Sequence, residues 1–203
     1  MSNILTLCDF SVYRNEITLF DPISLTLRKG QAYEIRGQNG IGKTSLLETI
    51  SGLKTTFKGQ FSLFTSQIYI SRRAPFNQEE TLLKNLSFWA HFWKTPTLLS
   101  KALQTWGITH LSHLPYKRLS QGQQQRASLA RLSLKKASLW LLDEPTANLD
   151  QQSIDIFQGC LKAHLQEGGS ALIATHHPLN LAQHIRLRPQ NRGGFPSHTK
   201  AVA

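Results

Sequence analysis

Cysteine is nearly absent from this chain. Cys8 and Cys160 are the only two in 203 residues, and they form no metal or redox spacing, so they read as reduced thiols of a cytoplasmic protein. No Cys-x-x-Cys-His run exists, which removes covalent haem attachment. No apolar run approaches the about 18 residues of a membrane span. The N-terminus, Met1-Ser-Asn-Ile-Leu-Thr-Leu, carries no basic residue before its short apolar stretch, which argues against a secretory leader. Repeats and low-complexity tracts are also missing. Acidic residues are scarce, 12 against 23 Lys and Arg, for a formal charge of +11.

That charge has three readings: a nucleic-acid partner, attraction to an anionic inner-leaflet surface, or a silent basic surface. The basic residues are scattered except for a mild cluster at Arg186, Arg188, Arg192 and Lys200, so charge alone selects none of these. With 40% apolar residues, one compact unit can bury a sizeable core.

Periodicity organises the rest. Residues 3–10 and 17–27 alternate apolar and polar side chains, as strands of an antiparallel edge sheet do, and residues 60–71 continue that pattern. Ala32–Ile35 reads as a short strand and Thr44–Ile50 as a helix with Leu46, Leu47 and Ile50 on one face. Residues 79–112 switch to helical spacing, broken at Pro96, which makes a helical insert over about 75–120. Residues 121–136 and 151–166 read as helices. Leu139–Leu142 and Ala171–Ala174 are apolar throughout, as buried parallel strands are. The expectation is one α/β domain over 1–185, with a basic, loose tail over 186–203.

The chemistry concentrates in two places. Gly37, Gln38, Asn39, Gly40, Ile41, Gly42, Lys43 and Thr44, followed by Ser45, match G-x-x-x-x-G-K-[ST]. Such a loop turns successive backbone N–H groups onto the β- and γ-phosphates of a nucleotide. Lys43 adds positive charge, the Thr44 hydroxyl is suited to Mg²⁺, and the following helix points its N-terminus at the anion. Asp143 and Glu144 end the apolar strand, where α/β sheets place ligand chemistry. Asp143 would hold Mg²⁺ directly or through water, and Glu144 would orient and deprotonate an attacking water.

Leu119-Ser120-Gln121-Gly122-Gln123 matches no general nucleotide motif. It resembles the signature of ATP-binding cassette (ABC) proteins, Leu-Ser-Gly-Gly-Gln, with one change at Gln121. Asp143-Glu144-Pro145-Thr146-Ala147-Asn148-Leu149-Asp150 looks like that family's Walker B and D-loop, and Thr175-His176 like its H-loop. The resemblance covers about residues 3–185. It implies an ABC-type P-loop ATPase core with an antiparallel β subdomain and a helical insert. It also implies a homodimer with two ATP held head to tail, each on Gly37–Thr44 of one copy and on Ser120, Gly122 and Gln123 of the other. His176 would contact the γ-phosphate and water, Asp150 would link the two sites, and Tyr13, with Phe20 second, would stack on adenine.

One position departs from the family. The glutamine usual after the strand near residue 70 is missing, and counting back from Thr81 puts Arg73 there. Arginine cannot ligate a cation, so Mg²⁺ would rely on Thr44, Asp143 and water, or else Gln78 would swing in; the first is preferred.

Within the family the chain is most similar to the ATP-binding subunits of cytochrome c maturation systems. The likeness lies in Thr18-Leu19-Phe20, Lys84-Asn-Leu-Ser-Phe88-Trp89, Ser138-Leu-Trp140 and Thr175-His-His-Pro178-Leu179. That subfamily's signature usually reads Leu-Ser-Ala-Gly-Gln-Gln-Arg-Arg, so Gln121 and Gln125 depart. The resemblance implies a peripheral subunit on the cytoplasmic face of the inner membrane, coupled to a CcmB-like permease and haem-handling CcmC- and CcmD-like subunits, with no nucleic-acid partner. A soluble cassette ATPase on DNA or ribosomes would usually carry coiled coils or tandem cassettes, and neither is here. The motor of another small-molecule transporter stays as the alternative. Phe88, Trp89, Phe92 and Trp93 would either receive the permease's cytoplasmic helix or pack within the insert.

Overall fold

The computed structural model describes residues 2–15, 17–176, 179 and 183–189. Its architecture is two sheets with α1 (Lys43–Ile50) packed on the side of the second that faces the first, and the other helices on its far side. In the first sheet, β1 (Asn3–Arg14) lies between β3 (Ile23–Arg28) and β5 (Phe57–Leu63), with the two-residue β2 (Ile17–Thr18) at its end, all antiparallel. The second sheet is parallel. Its order is β6 (Gln67–Ile70), β7 (Leu139–Asp143), β8 (Ser170–Ala174), β4 (Ala32–Arg36) and β9 (His184–Arg186).

The expected continuous pattern over 60–71 divides between the sheets. Leu63 pairs with Leu5 in the antiparallel sheet, whereas Ile68 pairs in parallel with Trp140. The turn between them exposes Phe64, and the chain re-enters with Ile68 and Ile70 buried. β9 was not expected as a strand. It and the buried Leu187 straddle the expected boundary at 185, and residues 190–203 of the expected tail lie outside the described residues.

β7 shows how the parallel sheet divides the core. All five residues are buried, and period two sends them to opposite faces. Leu139 and Leu141 pack with Leu46 and Leu47 of α1 (Lys43–Ile50) and with β1 residues such as Leu5 and Phe10. Trp140 and Leu142 pack toward the other helices. These are α2 (Leu82–Phe92), α3 (Leu99–Thr105), α4 (Gln121–Leu134) and α5 (Gln151–Gln166). The fully buried Trp106 anchors that side, donating its indole N–H to Ser133 Oγ at 3.1 Å.

The aromatic run of residues 88–93 divides between the core and the surface. Trp89 and Trp93 turn inward, with the Arg131 guanidinium 4.5 Å and 5.7 Å from their ring centroids. Phe88 and Phe92 face solvent, stacked at 6.2 Å.

Candidate functional site

Three strand ends lie in one row. Asp143 of β7 pairs with Ala174 of β8, and Ala174 pairs with Ile35 of β4. The carboxyl ends of all three strands therefore open on the same edge, the place where parallel sheets bind ligands. From β4 the chain passes through Gly37–Gly42 into α1; from β7 it passes into Glu144; from β8 it reaches His176.

The loop before α1 closes on itself. Gly42 is the helix cap, in left-handed backbone at φ 110°. A Cβ there would come within 2.9 Å of Leu19 Cδ1, so conformation and space both require glycine. No side chain caps this helix, which leaves its first N–H groups available to an anion. Lys43 is buried, and its ammonium donates to Gly37 O at 2.8 Å and Gln38 O at 3.1 Å. Burial lowers its pKa, against the pull of nearby Glu144. Ile41 is part of the core.

Thr44 Oγ1 donates to Asp143 Oδ2 at 2.8 Å, joining residues 99 positions apart. Asp143 is 1% exposed, and burial pushes its carboxyl above the usual range, opposed by the Thr44 hydrogen bond. Glu144 stands in left-handed backbone at φ 52°, an unusual conformation for a non-glycine residue and one that collects at functional sites. Its Oε2 accepts the His176 N–H at 3.2 Å, and its Oε1 lies 3.3 Å from His176 Nε2.

Asn39, Gly40, Gly42, Lys43, Thr44, Ser45 and His176 line one cavity of about 540 Å³. Arg14, Glu48, Lys54 and Arg72 also line it, and none of these was singled out in the sequence. Tyr13 lies outside the lining, half-buried opposite Thr18 with the Lys58 ammonium 6.0 Å from its ring, but its neighbour Arg14 reaches the cavity. Phe20 is wholly buried in the core.

Two adjacent arginines follow β6, and one of them reaches the acids. Arg72 is the arginine beside the acids, with Nε 3.7 Å from Asp143 Oδ2 and Nη2 3.4 Å from Glu144 Oε1. Arg73 and Gln78 line a different cavity of about 510 Å³, with Gln121, Gln125 and Asn148, and Arg72 borders that cavity as well. The sequence alone did not single out Arg72, whose role depends on which way its side chain turns.

Ser120, Gly122 and Gln123 sit at the start of α4 and outside the lining of the Lys43 cavity. Ser120 Oγ accepts the Gln123 N–H at 3.3 Å, and Gln123 Oε1 accepts the Ser120 N–H at 2.9 Å, a reciprocal capping box. A Cβ on Gly122 would meet Asn148 O at 2.7 Å, so glycine lets the loop after β7 lie against the helix start. Gln125 donates to Pro145 O at 2.8 Å and Glu144 O at 3.3 Å, tying α4 to the backbone of the acid. Asp150 caps α5, accepting the Ser153 N–H at 2.8 Å.

Among the described residues, no group of three or more His, Cys, Asp or Glu could hold a metal by itself. Mg²⁺ asks for less, since it binds through one or two protein oxygens and keeps waters and substrate phosphates. Asp143 Oδ1 is buried with no hydrogen-bond partner among the described residues, on the same carboxyl carbon as the oxygen that Thr44 contacts. That donor set fits Mg²⁺.

Comparison with known proteins agrees with this arrangement. The ABC transporter family model matches residues 20–147. The chain is 37% identical over 180 residues to the cytochrome c biogenesis ATP-binding export protein CcmA of Cereibacter sphaeroides, covering 88% of this chain and 85% of the relative. It is 40% identical over 173 residues to the CcmA of Gluconobacter oxydans, covering 85% and 81%. A solved ATP-binding subunit of an ABC transporter superposes with a TM-score of 0.82 at 19% identity, over 91% of this chain and 86% of that one, a likeness of fold. The chain belongs to the ABC transporter family, as an ATP-binding, ATP-hydrolysing subunit resembling CcmA. Among the described residues, no helix is long and apolar enough to cross a membrane.

Proposed function

We propose that this chain drives cytochrome c biogenesis by hydrolysing ATP beneath a membrane permease. The observation that carries the ATPase chemistry is the joining of Thr44 to Asp143, with Glu144 and His176 beside them. The likeness to CcmA over most of the chain carries the biological role. Family membership brings a permease partner. The finer reading is a CcmB-like permease with CcmC- and CcmD-like haem-handling subunits, at the cytoplasmic face of the inner membrane. Haem export or release of a haem-loaded chaperone would be the work done.

Gly37, Gln38, Asn39, Gly40, Ile41, Gly42 and Ser45 shape the phosphate cradle, and Lys43 turns from its own loop's carbonyls to the phosphates. Thr44 and Asp143 would hold Mg²⁺, which when bound neutralises phosphate charge. Glu144 Oε1, buried and without a hydrogen-bond partner among the described residues, is placed to take the proton of the attacking water. His176 holds Glu144 Oε2 through its backbone N–H, its ring Nε2 lies 3.3 Å from Oε1, and it would reach the γ-phosphate. Tyr13 would stack on adenine at the rim that Arg14 lines. Ser120, Gly122 and Gln123, outside this cavity in their own chain, would close over the nucleotide of a second copy, giving a homodimer with two ATP.

The test is haem-stained c-type cytochrome content in cells carrying only Lys43→Ala. Loss of these cytochromes, with b-type haem proteins normal, is the expected result. Normal cytochromes with ATP hydrolysis abolished would remove the cytochrome role and point to another transported substrate.

A further inference from the structure

Arg72 occupies a place that needs explaining. It follows the end of β6 by two residues on irregular backbone, and 56% of its side chain is exposed. Its guanidinium nevertheless reaches two buried carboxylates, at 3.7 Å from Asp143 and 3.4 Å from Glu144. Those acids are adjacent in sequence, 1% and 5% exposed. Buried like charges repel strongly unless a cation lies near. Arg72 is the exposed, movable member of the cation set there, whereas Lys43 is buried and tied to its loop carbonyls.

Arginine donates hydrogen bonds and cannot ligate a metal. A guanidinium on Asp143 and Glu144 and a Mg²⁺ on Asp143 therefore draw on the same negative charge. We propose that Arg72 is a counter-cation that competes with Mg²⁺ for the Asp143–Glu144 pair and swings outward when the metal binds. The loose ion-pair distances and the exposed side chain suit a group that leaves readily. Arg73, one residue on, does not line the Lys43 cavity and makes no ion pair among the described residues, whereas Arg72 borders both that cavity and the neighbouring one.

Two consequences have opposite signs. Without metal, Arg72 offsets the acids' repulsion of a triphosphate, so removing it weakens ATP binding. With metal, the competitor is gone, so removing it strengthens Mg²⁺-supported binding. A merely structural role would move both affinities the same way.

The inference rests on the reading of this cavity as the Mg²⁺·ATP site, and the experiment separates the two. A fluorescent ATP analogue is titrated into the full chain, once in EDTA and once in Mg²⁺. The ratio of Kd in EDTA to Kd in Mg²⁺ is compared for wild type, Arg72→Met, Arg72→Ala and Arg73→Met. Methionine keeps the length and supplies neither charge nor oxygen, and alanine gives a second uncharged variant should methionine disturb folding. The ratio should rise about fivefold in both Arg72 variants, the measure of one partly exposed ion pair, and stay at the wild-type value in Arg73→Met. An unchanged or lower ratio in the Arg72 variants, with binding intact, overturns the proposal alone. Failure of wild type to bind the analogue in either buffer overturns the nucleotide reading and this proposal with it.

Discussion

The loop around Lys43 and the start of α4 differ in how their polar groups are satisfied. Around Lys43, charges are buried and face one another. Lys43 and Asp143 are each pushed by burial toward their neutral forms, and Glu144 is held in left-handed backbone. At the start of α4, Ser120 is exposed in ordinary extended backbone, and its capping box is complete between Ser120 and Gln123. The first region keeps desolvation and strain, which chemistry can use. The second is relaxed and needs no ligand to be stable. It can present a helix N-terminus to another molecule without rearranging. The contrast suits a site whose reactive half lies in one chain and whose closing half comes from a second.

Glu144→Gln tests that contrast most severely. The amide keeps the shape and the contact with the His176 N–H, but it cannot take a proton. Turnover should fall by about 10²–10⁴-fold, the usual contribution of a general base, while ATP affinity stays within a few-fold. ATP-dependent dimers should then accumulate on a sizing column. Wild-type turnover in this variant would remove Glu144 as the base and leave its strained backbone without a catalytic reading. The change would appear in kcat rather than in binding.

Gly122→Ala probes the seam between the two regions. The added Cβ would lie 2.7 Å from Asn148 O, and Asn148 is itself in left-handed backbone at φ 61°. Either the helix start or the loop after β7 must move. Such overpacking costs about 1–3 kcal/mol, which for a chain of this size lowers Tm by about 2–4 °C per kcal/mol. ATP affinity of the single chain should not change, because Gly122 does not line the Lys43 cavity. A large loss of ATP affinity would show that the regions are coupled within one chain, through Gln125 and the Glu144 backbone.

What the sequence made legible follows the same division. The phosphate loop, the buried strand ending in Asp143 and the helix beginning after Ser120 each depend on local chemistry, so spacing located them. Glycine at 42, apolar residues through 139–142 and the Ser120–Gln123 pair act within a few residues of themselves. The misplacements needed tertiary information. Alternation over 60–71 shows that side chains face two ways but not which sheet the strand joins, so β5 and β6 merged. The pair Arg72-Arg73 does not show in sequence which guanidinium turns toward Asp143 and Glu144. Phe20 carries an aromatic ring in the right stretch of sequence, yet packing against Gly42 and the core buries it. Trp89 and Phe92 sit three residues apart on one helix, and packing against other elements, Arg131 of α4 among them, is what separates the inward ring from the exposed one.

The smallest expected effect belongs to Ser120, and it separates its two roles. Ser120→Ala removes the oxygen that accepts the Gln123 N–H. Loss of an N-cap costs about 1 kcal/mol, or about 2–4 °C in Tm for a chain of this size, and single-chain ATP affinity should be unmoved. Ser120→Asp keeps a capping oxygen of similar quality, so Tm should return to the wild-type value. It also puts negative charge where a second copy's γ-phosphate would arrive, so ATP-dependent dimers should fail to form in the Glu144→Gln background. Dimers that survive Ser120→Asp would leave Ser120 as a helix cap only, and the closing half of the site would have to lie on another surface of this chain.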